Sequence, residues 1–379
     1  MAAVQADGRT ATTGGIYQRL GVRTIINGRG ATTAVGGSLM APEVLAAMAE
    51  AATAYVVLDE LNRAVGERIA EATGAAAGYV TAGSSAGMAL AAAACIAGVD
   101  PEKIYRLPDT AGLPNEIVIH RCHRIRYDHM FRLAGAKLVE IGFPQGTRSW
   151  ELERAITERT VAVAWVDSPV VGHGALDFPT VVEIAHRHDV PAIVDAASTL
   201  PPVDHLRRWI RQGADLVIYS GGKGIRGPQE SGMLAGRADL IEAARANGSP
   251  NAAMGRGMKV SKEAMAGLAV ALDRFLRQDH EAEHRQHGAQ AERIAAGLSD
   301  LSRVAAAINA DPADSPAPVL YLRPVGEEWH AVGLRDALEA GNPSIHVNAE
   351  RGALVINTHC LLPGEEEAIL GRLRDLLGL

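Results

Sequence analysis

The chain has 379 residues, of which 47% are hydrophobic and 21% charged, proportions typical of a soluble globular protein with two or three domains rather than a disordered one. Its 37 basic and 44 acidic side chains give a net charge of −7, which argues against a dedicated nucleic-acid binder. Three widely separated cysteines argue against a disulfide framework and a cysteine-based zinc module, so we expect a cytoplasmic protein.

The first 15 residues lack the apolar core of a signal peptide, and we expect a flexible tail there. Helical patterns follow over Pro42–Thr53 and Leu58–Thr73. The stretch Ala72–Val99 then carries no charged side chain and is long enough to span a bilayer. Because Gly74, Gly78, Gly83 and Gly87 interrupt it, we interpret it as a strand, Ala77–Thr81, a glycine-rich turn over residues 82–87, and a buried helix, Met88–Ala97. No membrane segment is expected.

Strand and helix patterns alternate through the next part of the chain. Several strands are continuous apolar runs, such as VAVAWV and DLVIYS, as expected where helices cover both faces of a sheet. The predicted elements are Glu116–His120, Tyr127–Leu133, Lys137–Ile141, Ser149–Thr157, Val161–Val166, Thr180–His188, Ala192–Asp195, His205–Arg211, Leu216–Tyr219 and Met233–Ala235. This alternation predicts a large α/β domain with a mainly parallel sheet between helices.

A long helical region starts at Val260 and leads into a smaller unit with mixed patterns. The elements predicted there are strands at Val319–Arg323, Ile345–Val347 and Ala353–Ile356 and helices at Trp329–Ala340 and Glu365–Leu377. We therefore expect a tail over residues 1–15, an N-terminal segment and large domain over 16–275, and a small α+β C-terminal domain over 276–379.

The letters TAGSSAG lie between the strand and the helix of the charge-free stretch. Small residues at such a turn let backbone N–H groups point at one anion, and Ser84 and Ser85 could add hydroxyl donors. The same letters fit G-x-S-x-G, with Ser85 as the nucleophile of a hydrolase. A closely packed turn that binds nothing is the third interpretation.

Two further segments place ionisable groups at the ends of predicted strands. In SGGKGIRGPQESG, Lys223 follows an apolar strand but the spacing does not fit a phosphate-binding P-loop. Lysine suits a Schiff base, and its glycine neighbours would leave room for a bulky adduct. In VPAIVDAAS, Asp195 ends a buried parallel strand, at the sheet edge where ligands bind in such folds.

Together the three segments match the needs of pyridoxal 5′-phosphate (PLP). A cradle holds the phosphate, an acid keeps the pyridine nitrogen protonated, and a lysine forms the Schiff base.

The sequences of the motifs resemble those of one family of fold-type I PLP enzymes, the selenocysteine synthase/D-glucosaminate-6-phosphate ammonia-lyase family. The matching segments are IINGRGATTAVGGSLM, LPDTAGLPNEIVIHRCHRIRYDH, VDAASTLPPV, DLVIYSGGKGIRGPQESGMLAGR and GRGMKVSKE. The resemblance runs from about Ile16 to Arg277 and weakens toward the C-terminus. It implies a cytoplasmic homodimer or higher homo-oligomer with shared active sites.

The resemblance implies specific roles for the cofactor residues. Lys223 would be the Schiff-base lysine and the acid/base at Cα, and Asp195 would pair with the pyridine nitrogen. His123 would stack on the ring. The cofactor phosphate would lie against Ser84, Ser85 and Ser220. A metal cluster formed by His120, Cys122 and His123 is the alternative for that segment, although no further ligand completes it nearby.

Substrate anions would be bound by cationic side chains outside the cofactor motifs. Arg226, Arg256 and Lys259 are the candidates for a carboxylate or phosphate group. His359 and Cys360, in INTHCLLPGE, have no counterpart that we identify in the family. Either could serve as a second acid/base on the opposite ring face.

The family's reactions start with removal of the Cα proton of an amino acid bound to the cofactor. We expect α,β-elimination from a hydroxylated or phosphorylated amino acid, with release of ammonia and a 2-oxo acid. A racemase or epimerase that uses His359 or Cys360 is the alternative. A serine hydrolase with Ser85, Asp195 and His205 is more remote. Nucleic acid is not expected, because the chain lacks the N-terminal helical region for tRNA of selenocysteine synthases and is acidic. A metal is not expected either.

Overall fold

The computed structural model describes residues 15–143, 145–168, 171–311 and 315–378. The predicted tail therefore lies almost wholly outside the described residues. The strands are β1 (Ile25–Asn27), β2 (Ala77–Thr81), β3 (Glu116–His120), β4 (Lys137–Ile141), β5 (Thr160–Val166), β6 (Ala192–Asp195), β7 (Leu216–Ser220), β8 (Gly232–Gly236), β9 (Val304–Asn309), β10 (Val319–Pro324), β11 (Ser344–His346), β12 (Asn348–Glu350) and β13 (Ala353–Asn357).

Helices fill most of the remaining chain. They are α1 (Ile16–Arg19), α2 (Pro42–Ala51), α3 (Leu58–Thr73), α4 (Gly83–Ala97), α5 (Pro101–Arg106), α6 (His129–Leu133), α7 (Ser149–Ala155), α8 (Phe178–Arg187), α9 (His205–Arg211), α10 (Ala238–Asn247), α11 (Lys262–Arg277), α12 (His280–Ala296), α13 (Ala331–Ala340) and α14 (Glu365–Leu376). No helix within these described ranges is both long and apolar enough to cross a membrane.

The chain divides into two compact units. The larger unit, Ala31–Glu281, contains a seven-stranded sheet in the order β2-β8-β7-β6-β5-β3-β4. Strands β7, β6, β5, β3 and β4 run parallel, whereas β8 is antiparallel to both β7 and β2. The predicted α/β class with a mainly parallel sheet is confirmed.

Two hydrophobic clusters cover the two faces of this sheet. One holds apolar side chains of α3, α8, α9 and α11, and the other those of α4, α6 and α10. Helix α3 approaches β2 so closely that a Cβ at Gly66 would lie 2.2 Å from the carbonyl oxygen of Gly78. Burial on both faces explains why these strands read as continuous apolar runs.

The charge-free stretch forms the predicted strand and helix, but the predicted turn at residues 82–87 is wrong. Helix α4 begins at Gly83, directly after Ala82, and includes Ser84 and Ser85 in its first turn. Gly87 lies inside the helix, where a Cβ would come within 3.0 Å of Ile218 in β7. Small residues here serve close packing of helix on sheet.

The smaller unit comprises the described residues from Gly15 to Gly30 and from Ala282 onward. Its antiparallel sheet has the order β12-β13-β10-β9, and β1 pairs separately in parallel with β11. The segment over residues 16–30, which we assigned to the large domain, thus belongs to this unit because β1 finds its strand partner there. The strand predicted at Ile345–Val347 is divided between β11 and β12.

Candidate active site

Lys223 and Asp195 lie at the carboxyl edge of the large sheet. Asp195 ends β6, and Lys223 follows the neighbouring parallel strand β7. Asp195 is only 7% exposed, and its Oδ1 accepts a hydrogen bond from the Ala197 N–H at 3.1 Å. The Lys223 Nζ donates to Ser198 Oγ at 3.0 Å. The structure therefore brings together a half-buried amine, a buried carboxyl group and a half-buried hydroxyl.

Burial shifts the pKa of each of these two groups in the direction that favours its neutral form. It lowers the pKa of Lys223, and the Asp195 carboxylate opposes that shift. It raises the pKa of Asp195, while the Ala197 N–H and Lys223 act in the other direction. A lysine with a lowered pKa has more neutral amine at physiological pH, which is the form that acts as a nucleophile or base.

Close backbone packing explains the glycines around Lys223. A Cβ at Gly224 would lie 2.1 Å from the Leu200 carbonyl oxygen, and one at Gly222 would lie 2.5 Å from Gln229 Cα. The expectation that these glycines leave room for an adduct is wrong, because protein backbone fills the space beside them. Gly224 lets the 196–200 loop approach the lysine loop, residues 221–229, and Gly222 lets the lysine loop fold closely on itself.

The start of α4 and the end of β7 meet at Gly232 in β8. A Cβ at Gly232 would lie 2.4 Å from the Gly83 carbonyl carbon, and Gly232 is the register partner of Ser220. Gly83 itself has a φ of +73°, which a side chain would strain. The half-buried Ser84 and Ser85 follow it. Ser220 and the unsatisfied N–H groups of the first helical turn thus lie around one glycine-lined corner.

His123 lies in a short 3₁₀ turn that follows β3, at the same edge of the sheet. Its ring is buried, stands edge-on to Trp165 with centroids 4.4 Å apart, and its Nδ1 accepts from the Val166 N–H at 3.3 Å. Burial, with a smaller contribution from His120, lowers the pKa of His123 to about 3. His123 is therefore neutral at physiological pH.

The segment of His120, Cys122 and His123, the alternative metal cluster, makes hydrogen bonds to backbone N–H groups. His120 Nε2 accepts from the Leu176 N–H at 3.3 Å. Cys122 is half-buried and its carbonyl accepts from the Gly172 N–H. Within the described ranges, no three His, Cys, Asp or Glu side chains form a group able to hold a metal ion.

The predicted substrate cations lie on two segments of the large unit. Arg226 is half-buried in the lysine loop, its N–H donates to the Lys223 carbonyl, and its φ of +57° is unusual for a non-glycine residue. Arg256 and Lys259 are exposed on the segment between α10 and α11. His359 is buried in the smaller unit.

Two residues of this edge were missed by sequence reasoning. Ser198 belongs to the VDAAS motif but was not singled out, because nothing in the letters shows its contact with Lys223. Asp167 follows β5, and its N–H donates to the Asp195 carbonyl at 2.8 Å. Its Oδ2 is buried without a hydrogen-bond partner among the described residues, and burial raises its pKa. The apolar run VAVAWV before Asp167 was the available signal.

The catalytic residues that a serine hydrolase would need are not connected by hydrogen bonds in the described part of the chain. His205 Nδ1 contacts the Thr199 carbonyl oxygen at 2.9 Å, and no hydrogen bond links His205 to Ser85 there. A hydrolase needs a base within hydrogen-bond reach of its nucleophile. The geometry therefore favours the lysine chemistry over the hydrolase alternative.

A separate cavity of about 340 Å³ opens beside β2 and the 249–260 segment. Its lining includes Tyr79, Thr81, Arg245 and Met258 but neither Lys223 nor Asp195. The Arg245 guanidinium there is already paired with Asp59 at 3.0 Å. The chemistry thus belongs to the sheet edge rather than to this cavity.

Comparison with known proteins places this geometry in context. Residues 25–287 match the family model SelA, L-seryl-tRNA selenium transferase. The chain is 35% identical over 386 residues to a 5′-C-glycyluridine monooxygenase-decarboxylase of a Streptomyces species, covering 98% of this chain and 94% of that protein. It is 34% identical over 371 residues to the D-glucosaminate-6-phosphate ammonia lyase of Salmonella typhimurium strain 14028s, covering 95% and 97%. A solved structure of a D-glucosaminate-6-phosphate ammonia-lyase aligns with a TM-score of 0.86 at 33% identity, covering 97% and 99%.

Proposed function

The chain belongs to the L-seryl-tRNA selenium transferase (SelA) family of PLP-dependent enzymes, and we propose that it catalyses an α,β-elimination on a hydroxylated or phosphorylated amino acid. The expected family, fold-type I architecture, PLP cofactor and lyase class are confirmed by the comparisons above. The observation that supports the residue roles is the half-buried Lys223 amine near the buried Asp195, on adjacent strand ends.

The residues at this edge fit PLP. Burial lowers the pKa of Lys223, which favours the neutral amine to which the cofactor aldehyde would bond. Asp195 is a buried carboxyl group at the neighbouring strand end, as pairing with a pyridine nitrogen requires. The corner around Gly232 presents backbone N–H groups of α4 and the hydroxyls of Ser84, Ser85 and Ser220 for the phosphate. His123, a neutral buried ring at the same edge, would lie against the pyridine ring.

PLP, when bound, supplies an electron sink that acidifies the Cα–H bond of an amino acid. In our proposal the substrate amine displaces Lys223 Nζ from the cofactor, and the Nζ amine released in this way takes the Cα proton. The Asp195 carboxylate would pair with the ring nitrogen and favour its protonated, electron-withdrawing form. Lys223 Nζ would then give that proton to the departing β-hydroxyl, which leaves as water, and hydrolysis of the unsaturated amine product by one water molecule gives a 2-oxo acid and ammonia.

Cationic side chains suggest an acidic substrate. Arg226 lies in the lysine loop itself, so it is our candidate for the carboxylate of the amino acid. The exposed Arg256 and Lys259 are candidates for a more distant phosphate. The name of the Salmonella relative, which acts on a phosphorylated amino sugar acid, supports a substrate of that kind. We also propose a cytoplasmic homo-oligomer with shared active sites.

A second candidate reaction follows from the Streptomyces relative. Its name describes a monooxygenase and decarboxylase, and it matches nearly the whole chain. An oxygen-dependent decarboxylation of an amino acid would start from the same Lys223 and Asp195 but break the bond to the carboxylate. A racemase has no support among the relatives described above.

Product analysis separates these reactions. Purified protein loaded with PLP is incubated in D₂O with D- and L-hydroxyamino acids, with and without a terminal phosphate, and followed by proton NMR. Ammonia and 2-oxo acid in equal amounts are the expected result, and Lys223→Ala abolishes them. Oxygen consumption with release of carbon dioxide would establish the second candidate instead. Cα deuteration with inversion and no elimination would show a racemase and contradict the proposal.

A further inference from the structure

The hydrogen bond between Lys223 and Ser198 joins two loops that pack tightly on each other. Nζ and Oγ are 3.0 Å apart, and both side chains are half-buried. Ser198 lies three residues after Asp195, in the 196–200 loop whose Leu200 carbonyl lies against Gly224. This close approach fixes the hydroxyl relative to the lysine backbone. Among the described residues, Ser198 is the only one to which the Lys223 amine donates a hydrogen bond.

The chemistry of a hydroxyl differs from that of the neighbouring carboxylate. An ionised carboxylate only accepts hydrogen bonds, so its charge–charge attraction for Lys223 is lost, and its hydrogen bond weakened, when the lysine becomes neutral. A serine hydroxyl accepts from an ammonium group and can rotate to donate to a neutral amine. Ser198 can therefore hold Nζ in one place in both protonation states. A base that gains and loses a proton in each turnover needs that constancy of position.

We propose that Ser198 is the positioning residue of Lys223, which keeps the free amine aimed at the reacting carbon after the substrate has displaced it from the cofactor. The inference rests on the proposed function. Ser198 keeps its own proton throughout: the proton moves from Cα to Lys223 Nζ and later from Nζ to the product. Nothing in this role depends on which β-group leaves.

Three variants isolate the hydroxyl. Ser198→Ala removes it, Ser198→Thr retains it, and Ser198→Val has the shape of threonine without it. Thr199→Val is the matched control, because its Oγ1 donates to the Ala196 carbonyl of the same loop at 3.1 Å rather than to the lysine. Circular dichroism melting curves identify any variant that does not fold.

Two measurements read the position of the amine. The first is the rate at which cofactor-free protein captures added PLP, followed by visible absorbance. The second is steady-state turnover, with kcat, KM and the deuterium isotope effect at Cα determined separately. We expect Ser198→Ala and Ser198→Val to slow capture and to lower kcat about tenfold, the effect of one lost hydrogen bond. We expect KM to remain unchanged, the isotope effect to rise, Thr to restore both rates and the control to match wild type.

The outcomes separate this inference from the function beneath it. A wild-type protein that captures no PLP would contradict the proposed function and this inference together. A wild-type protein that captures PLP, with folded Ala and Val variants equal to it in capture rate and kcat, would overturn the role of Ser198 alone. Thr and Val variants that are equally impaired would show that shape matters rather than the hydroxyl, and would also overturn it.

Discussion

Asp195 is the residue whose substitution should separate cofactor attachment from catalysis. Asp195→Asn keeps the acceptor for the Ala197 N–H but removes the charge opposite the pyridine nitrogen. We expect kcat to fall at least about 100-fold, as for loss of a strong electrostatic partner in an active site. The visible absorbance of attached PLP should persist. Asp204→Asn, at an exposed carboxylate paired with Arg211, is the control, and wild-type kcat in the Asp195 variant would contradict the role.

His120 gives a prediction of pH-dependent stability. Burial lowers its pKa from the ordinary 6.5 to about 4, so the unfolded chain binds a proton in this range that the folded chain excludes. Stability is therefore lost as pH falls below 6.5, by about 1 kcal/mol per pH unit for this one group. His120→Gln retains an acceptor for the Leu176 N–H without titrating.

Urea unfolding of the cofactor-free protein at several pH values between 6.5 and 4.5 measures this effect. The slope of unfolding free energy against pH should be shallower in His120→Gln than in wild type. His129→Gln, at an exposed histidine on α6, serves as control and should keep the wild-type slope. Identical slopes in all three proteins would mean that His120 is not held neutral by the fold.

Sequence patterns identified site residues that have an unusual local sequence. They missed residues whose place in the site depends on a contact with a distant segment. Lys223 stands out because glycines flank it after an apolar strand, and Asp195 because a carboxylate ends a buried run. Ser198 is an ordinary serine until the 196–200 loop packs on the lysine loop. Asp167 was overlooked for the same reason, since its importance comes from the neighbouring strand.

At the scale of elements, long periodic segments were predicted well and those set by close packing were not. Helix α3 and strands β3, β4 and β6 have the predicted bounds, because their apolar patterns match one period throughout. The start of α4 was misplaced, since Gly83 and Gly87 read as a turn, whereas Gly83 suits its φ of +73° at the helix start and Gly87 is required by its close contact with β7. Strand β9 was missed altogether, and its side chains are half-buried or exposed.

The approach of the 196–200 loop to the lysine loop gives a test at this scale. Gly224→Ala would place a Cβ 2.1 Å from the Leu200 carbonyl oxygen, so one loop must move. We expect a loss of about 1–3 kcal/mol in unfolding free energy and weaker PLP binding. Gly74→Ala is the control: Gly74 also needs a special conformation, φ +72°, but has open space around it. It should cost about 1 kcal/mol and leave PLP binding unchanged. Equal effects of both variants on PLP binding would contradict this packing account.

At the scale of the whole molecule, the large unit carries an exposed apolar run that suits a partner subunit. Tyr55, Val56, Val57 and Leu58 are consecutive and 37% to 102% exposed. Contiguous apolar surface of this kind is typical of an interface. Val56→Asp should therefore lower the molar mass found by sedimentation equilibrium, whereas Val99→Asp, at another exposed valine, should not. A wild-type monomer would contradict the proposed oligomer.

The covalent attachment of PLP to Lys223 is the claim on which the proposed chemistry depends. Borohydride reduction of PLP-loaded protein, followed by proteolysis and peptide mass spectrometry, tests it directly because the chain has only five lysines. We predict a reduced phosphopyridoxyl group on Lys223 alone, and none in Lys223→Ala. A label on another lysine in wild type, or no label in protein that still turns over its substrate, would contradict the account.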